Sequence, residues 1–244
     1  MKPKLSLIIP VYNASTFVLK TIKEVSNWQK SIDYSVEIIM VNDGSPDNSK
    51  TIIENFIVQN NSPIKLVSYS KNKGKGYAVK QGMLHATGAF RVFTDADIPY
   101  GFEIIERILH YLDFKEFDVC IGNRRSIHSQ YYTSITFARK LSSFIFTGFV
   151  SRFVVTGIND TQCGIKGFTE KVANEIFPKL AVSGFGFDIE ILYLSYKKEY
   201  DIKRIPVTFE GNENSTISLL KDSIMMLKDV MLIPFRYHFT KKYK

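Results

Sequence analysis

The chain has 244 residues, 45% of them hydrophobic and 23% charged, with a net charge of +8. That composition excludes disorder caused by low hydrophobicity, and the length suits one large core better than two. The charge is segmental: residues 119–159 hold five Arg or Lys and no acidic residue, residues 221–244 hold six basic residues against two acidic ones, and the rest is close to neutral. Two basic blocks invite an anionic partner, nucleic acid included. Cys120 and Cys163 are too few for a disulfide framework or a zinc cluster. The longest uncharged run, Leu5 to Leu19, is 15 residues long. A bilayer span needs about 20 apolar residues, so no transmembrane helix is expected. With no signal-peptide pattern near Met1, the expected setting is the cytoplasm.

In chain order, LSLIIPVY, VEIIMVN, IKLVSYS, FRVFTDA and DVCIGN predict five buried strands. Between them, Thr16–Trp28, Ser49–Asn60, Tyr77–Ala86 and Phe102–Tyr111 predict helices. This alternation predicts an α/β fold, a Rossmann-like, doubly wound and mostly parallel sheet. Such sheets bind ligands beyond the carboxyl ends of their strands. Residues 130–158 mix seven Tyr or Phe with Arg139, Lys140 and Arg152, which predicts a pair of short helices, either a hairpin buried in the core or, as the cations favour, an interfacial pair. A strand near Gly164–Phe168, a helix ending at Pro178, a helix within FGFDIEILYLSYKK and the strand IKRIPVTF follow. The last helix is expected from about Thr216, stopped by Pro234, with Ile217, Leu220, Ile224, Leu227 and Met231 as one apolar stripe. By itself such a stripe predicts docking on the helix's own domain, and the basic, aromatic tail FRYHFTKKYK adds an interfacial character. No repeat or linker divides the chain, so residues 1–244 are expected to form one domain. Residues 4–122 hold the regular alternation and residues 123–244 the later elements, the latter with interfacial helices expected over 130–158 and 216–233.

The chemistry concentrates in three strand-to-helix loops. FTDADIPY brings Asp95 and Asp97 to the end of an apolar strand, where residues two apart point the same way and two carboxylates share a site. Oxygen ligands beside a diphosphate suit Mg²⁺ or Mn²⁺. The loop Asn42-Asp43-Gly44-Ser45-Pro46-Asp47 supplies a second acidic turn, which an Asx cap of the next helix also explains. The loop Asn72-Lys73-Gly74-Lys75-Gly76 sets Gly and Lys before a helix N-terminus, a phosphate-favouring arrangement. Val79 breaks the dinucleotide fingerprint there, and no phosphate-loop, serine-elbow or zinc-protease motif occurs.

Together Ile9-Pro10-Val11-Tyr12-Asn13, Val41-Asn42-Asp43-Gly44-Ser45 and Asp95-Ala96-Asp97 resemble the nucleotide-sugar domain of family-2 glycosyltransferases. NKGKGYAVKQGMLHATG, GNRR at 122–125, DTQCGIKGF at 160–168 and FGFDIEIL at 185–192 narrow the resemblance to dolichyl-phosphate glucose synthases and bacterial polyprenyl-phosphate relatives. The resemblance implies a GT-A fold, with C-terminal amphipathic helices, that moves a sugar from a nucleotide diphosphate by inversion. UDP-glucose is the favoured donor, and a polyprenyl or dolichyl phosphate at the cytoplasmic face of an anionic membrane is the favoured acceptor. It implies that Pro10, Tyr12, Asn13, Asp43, Asp95 and Ala96 line the donor nucleotide, that Lys73 or Lys75 faces the diphosphate, and that Asp97 holds Mg²⁺ or Mn²⁺. Arg124, Arg139 and Ser143 match acceptor-phosphate positions, Arg139 and Ser143 sharing a helix face at i, i+4. Ala14, Pro99 and Asn214-Ser215-Thr216 depart from the pattern, the last lacking a phosphate-binding lysine. A lipid phosphate is largely dianionic and needs no strong base. A saccharide hydroxyl, the acceptor of a capsule or cell-wall transferase, needs one, and Asp160, Asp188 and Glu190 are the candidates. Carboxylates where phosphates would lie argue against nucleic acid.

Overall fold

The computed structural model describes residues 2–126, 128–131, 158, 160–209, 221–240 and 242–243. The first half alternates as the sequence predicts: β1 (Leu5–Val11), α1 (Val18–Ser31), β2 (Val36–Asp43), α2 (Ser49–Gln59), β3 (Lys65–Tyr69), α3 (Lys75–His85), β4 (Phe90–Phe93), α4 (Glu103–Asp113) and β5 (Val119–Asn123). Then come β6 (Gln130–Tyr131), β7 (Lys166–Thr169), α5 (Glu170–Ile176) with a 3₁₀ turn Phe177–Lys179, α6 (Phe187–Lys197), β8 (Ile202–Pro206), β9 (Thr208–Phe209) and α7 (Lys221–Phe239).

Seven strands form one sheet in the order β3-β2-β1-β4-β7-β5-β8. Every neighbour pair is parallel except those of β7, which is antiparallel to both β4 and β5. Strand β1 is apolar almost throughout because both its faces are covered. Leu7 and Ile9 join Ile38, Met40 and the α1 and α4 side chains on one face. Ile8 joins Ile39, Val41 and residues of α3, α5 and α6 on the other. Strands β5, β7 and β8 lie in the same sheet as β1–β4, so residues from both halves of the chain share one set of hydrogen bonds.

Four expectations need correction. The expected strand IKRIPVTF breaks into β8 and β9 at Val207, whose N–H donates to Ser129 Oγ at 3.3 Å, and β9 pairs with β6 instead of the main sheet. Residues 130–131, expected to open a helix, are strand β6; the rest of that helical pair to 157, Arg139 and Ser143 included, lies outside the described residues. The same is true of the expected helix start at Thr216. Pro234 does not stop α7, which runs on to Phe239. An interior proline costs a helix about 3 kcal/mol. Here burial of Val230 and Ile233 and a Tyr237–Tyr193 ring contact at 5.6 Å hold the helix down on both sides of it. The described members of the expected stripe are also turned the other way: Leu227 and Met231 are exposed, and Met226, Val230, Ile233 and Tyr237 face the domain. Both arcs of the helix are apolar, so periodicity alone does not say which one docks.

A buried carboxylate ties the far edge of the sheet. Glu37 in β2 accepts from Ser6 Oγ at 2.6 Å, Thr87 N at 2.9 Å, Thr87 Oγ1 at 3.1 Å and Lys65 Nζ. Burial pushes its carboxyl up, but these donors outweigh that and hold it below the usual range. A depressed carboxyl contributes stability above its unfolded pKa of about 4.3 and loses that contribution as pH falls through the folded value. Glu37→Gln is therefore expected to cost about 1–3 kcal/mol in urea denaturation at neutral pH, with the difference shrinking below about pH 4.

Candidate functional site

The carboxyl ends of β1, β2, β3 and β4 bring four loops together. The first loop is stapled to the second by side chains of the second: Asn13 N donates to Ser45 Oγ at 3.1 Å, Ala14 N to Ser49 Oγ at 2.8 Å, and Ser15 N to Asp47 Oδ2 at 2.8 Å. Asp47 also accepts from Ser49 N at 3.0 Å and Ser49 Oγ at 2.5 Å, so it provides the expected Asx cap. Desolvation opposes its charge, yet these donors hold its carboxyl at about 2. Asn13 stands at φ 51°, with Tyr12 about half exposed beside it and Pro10 buried within β1.

Asp43 faces inward. Its carboxylate accepts from Lys73 N at 2.8 Å, Gly74 N at 2.9 Å and Asn72 Nδ2 at 3.0 Å, so it orders the third loop. The glycines of that loop serve close approach. Gly74 has φ 95°, and a Cβ on it would meet Ser183 O at 2.5 Å; a Cβ on Gly76 would meet Phe187 Cβ at 2.6 Å. Tyr77 N donates to Ser183 O at 3.2 Å, which satisfies one free N–H of the α3 N-terminus. Lys73 turns to the rings of Tyr77 and Tyr69, 4.5 and 5.6 Å from their centroids.

Lys75, the first residue of α3, pairs with Asp95 at the end of β4. Burial disfavours its charge, but Asp95 and Asp188 more than compensate and raise its pKa. Ala96 O accepts from Thr21 Oγ1 at 2.8 Å, which fixes the loop to α1. Asp97 is exposed, and its carboxyl is pushed above the usual range, first by desolvation and then by the Asp95 charge. Ile98 follows at φ 48°, a strained conformation for a β-branched residue.

The other wall comes from the second half of the chain. Asp160 takes Arg124 with both oxygens: Nε at 3.0 Å and the backbone N at 2.7 Å on Oδ2, and Nη2 at 2.8 Å on Oδ1. Burial alone would raise the Asp160 carboxyl, but Arg124 holds it below the usual range. Gly164 lies directly against Asp95, where a Cβ would stand 2.0 Å from Oδ2, and its N–H donates to Tyr100 Oη at 3.2 Å. Fully buried Lys166 donates to Cys163 O at 2.7 Å and to Asp188, whose carboxyl is raised by its own burial. Glu190 is spent on Ala181 N and Val182 N, both at 2.9 Å, and on the Tyr243 hydroxyl.

Pro10, Tyr12, Asn13, Lys75, Asp95, Ala96 and Asp97 thus share one edge of the sheet with Arg124 and Asp160. Sequence reasoning missed Lys166, Gly164 and Tyr100. A lone lysine inside the apolar run IKGF was the available signal for the first, since a buried lysine demands a partner. Among the described residues no three His, Cys, Asp or Glu side chains gather as a metal cage. A lone hard carboxylate, Asp97, carrying excess negative field from Asp95, fits Mg²⁺ or Mn²⁺, ions that draw most of their ligands from phosphate and water.

The family model described as glycosyl transferase family 2 matches residues 6–177. The chain belongs to that family. Curated relatives include dolichyl-phosphate beta-glucosyltransferases of Dictyostelium discoideum, 34% identical over 96% of this chain and 74% of theirs, and of Saccharomyces cerevisiae, 32% identical over 96% and 75%. The human protein of that name is 26% identical over 96% of this chain and 76% of its own. Among solved structures, glucosyl-3-phosphoglycerate synthase of Mycobacterium tuberculosis, crystallised with Mn²⁺, UDP and glucosyl-3-phosphoglycerate, superposes with a TM-score of 0.70 at 15% identity over 96% of this chain and 79% of that one. The fold is GT-A, and the family-2 membership makes the protein a sugar-transferring enzyme. For this transferase, Gly164→Ala is expected to displace Asp95 and lower kcat/KM by about 10²-fold, the scale of a misplacement near 1 Å. Its thermal melt should change far less than its kinetics.

Proposed function

We propose that this family-2 glycosyltransferase moves glucose from UDP-glucose to the phosphate of a polyprenyl or dolichyl lipid, with inversion, at the cytoplasmic face of a membrane. The names of relatives matched over 96% of the chain support the donor sugar and the acceptor class. The observation that carries the choice of acceptor is the state of the three candidate bases. Asp160 is occupied by Arg124, Asp188 by Lys166, and Glu190 by two backbone N–H groups and Tyr243. A saccharide hydroxyl would require one of them to be free. A lipid phosphate, with its second pKa near ~6, arrives as a competent nucleophile.

One of its oxygens forms the bond to the anomeric carbon as the bond from that carbon to the UDP β-phosphate oxygen breaks. The electron pair leaves with UDP, and no proton need be removed from the acceptor. Asp97 would hold a divalent cation, which when bound neutralises charge on the diphosphate. Lys75, poised on Asp95, is the protein's own cation for that charge. Pro10, Tyr12, Asn13 and Ala96 line the nucleotide, and Asp43 acts by ordering the loop that carries Lys73 and Lys75. Arg124 faces the acceptor phosphate with its orientation set by Asp160, joined by Arg139 and Ser143 from the segment outside the described residues. In this reading residues 4–122 serve the nucleotide-sugar donor and residues 123–244 the acceptor. Nucleic-acid binding has no support in this family membership.

Three experiments check the reading. Labelled UDP-glucose offered with polyprenyl phosphate and, separately, with oligosaccharides should label the lipid; label on the oligosaccharide alone would sink the proposal. The kcat/KM for the lipid phosphate should rise through about pH 6 to a plateau, following the acceptor. Replacing Asp97 with Ala should lower turnover on the order of 10³-fold. It should also abolish the Mn²⁺ dependence of UDP binding in calorimetry.

A further inference from the structure

Helix α7 carries two apolar faces, and the fold uses only one. Val230 and Ile233 are fully buried, Tyr237 packs on Tyr193, and Met226 Sδ accepts from Gln162 Nε2 at 2.8 Å, so the inner face is clamped to the domain. On the opposite side Leu227, Met231, Phe235 and Phe239 recur every fourth residue, at 38%, 60%, 55% and 76% exposure. Four-residue spacing lines them along one ridge. The Phe235 and Phe239 rings lie 5.0 Å apart, which makes the C-terminal end a continuous aromatic surface. Scattered exposed hydrophobes need no explanation, but a continuous ridge of large ones marks a contact surface.

We infer that this ridge lies in the headgroup region of an anionic lipid bilayer and is the protein's membrane-docking surface. Charge selects the occupant. Lys228 falls on the same exposed side as the ridge, exposed Lys242 follows it, and residues 221–244 hold six basic residues against two acidic ones. Two copies packed ridge to ridge would bring these like charges together, whereas anionic headgroups neutralise them. The inner face gives the surface its position. Met226 touches Gln162, between Asp160 and Gly164, and Asp229 packs on Gly186, where a Cβ would meet Asp229 Cβ at 3.3 Å. Lipid contact and the acceptor wall of the site therefore occupy opposite sides of one helix. This deepens the lipid-phosphate reading and rests on it for the reason a bilayer is nearby.

The test uses the full chain and vesicles without any polyprenyl phosphate. Wild-type protein should sediment with vesicles of equal parts phosphatidylcholine and phosphatidylglycerol, and more weakly with phosphatidylcholine alone or in high salt. The double variant Phe235→Ser/Phe239→Ser should bind the anionic vesicles at least about tenfold more weakly. Its thermal melt and its transfer to a water-soluble, short-chain polyprenyl phosphate should match wild type. Undiminished vesicle binding by the variant, or none by wild type, would overturn the inference. So would lipid-free self-association of wild type that the variant loses, which would give the ridge to a second copy. Failure of the lipid-phosphate reading is scored separately, as absent transfer by wild type to the soluble acceptor.

Discussion

The site depends on the direction of one strand. β7 runs antiparallel between β4 and β5, with Lys166 opposite both Phe93 and Ile121. Its beginning, not its end, therefore lies at the carboxyl edge of the parallel strands, and the segment leading into it is delivered beside Asp95. Asp160, Gly164 and Lys166 reach the donor loops by that route. A parallel β7 would leave the same residues at the opposite edge of the sheet. The close fit of Gly164 against Asp95 follows from this entry, as does the placement of Asp160 where it grips Arg124 at the end of β5.

Most carboxylates here are structural clamps. Asp43 orders the lysine-bearing loop, Asp47 joins the first two loops, Asp160 orients Arg124, Asp188 neutralises Lys166, and Glu190 fastens residues 181–182 and the C-terminal Tyr243. Each is satisfied by N–H, hydroxyl or cationic donors, as buried charges must be. Asp97 differs from them in being exposed and in feeling a like charge from Asp95. Extra negative field on an accessible oxygen donor is what a hard cation relieves. The strained Ile98 that follows is a local backbone cost at the same turn.

Lys75 and Arg124 divide the remaining work by their partners. Lys75 is partly accessible and paired with a carboxylate of the donor loop, so it is positioned to respond when charge arrives there. Arg124 is locked by a two-pronged pair that leaves its planar head fixed in orientation. In the proposed lipid-phosphate transfer, Lys75 would serve the donor side and Arg124 the acceptor side.

The alternation of apolar runs and helical stretches determined the doubly wound sheet by itself, because β1 and β2, buried on both faces, leave little ambiguity of period. The three loops were equally legible, since a loop directly after a buried strand can only stand at the carboxyl edge. Other features depended on contacts between distant segments. Gly74 and Gly76 read as a phosphate cradle, yet the close approach of Ser183 and Phe187 accounts for them. Asp160 and Asp188 stand in the sequence as candidate bases, and only the fold brings them their cations, from 36 and 22 residues away. The face on which α7 docks was undecidable from spacing, because both its arcs are apolar. Local sequence determined the elements and the loop chemistry through short-range periodicity. Only the tertiary structure decided which charges pair and which helix face docks on the domain, because those outcomes depend on residues far apart in the chain meeting in space.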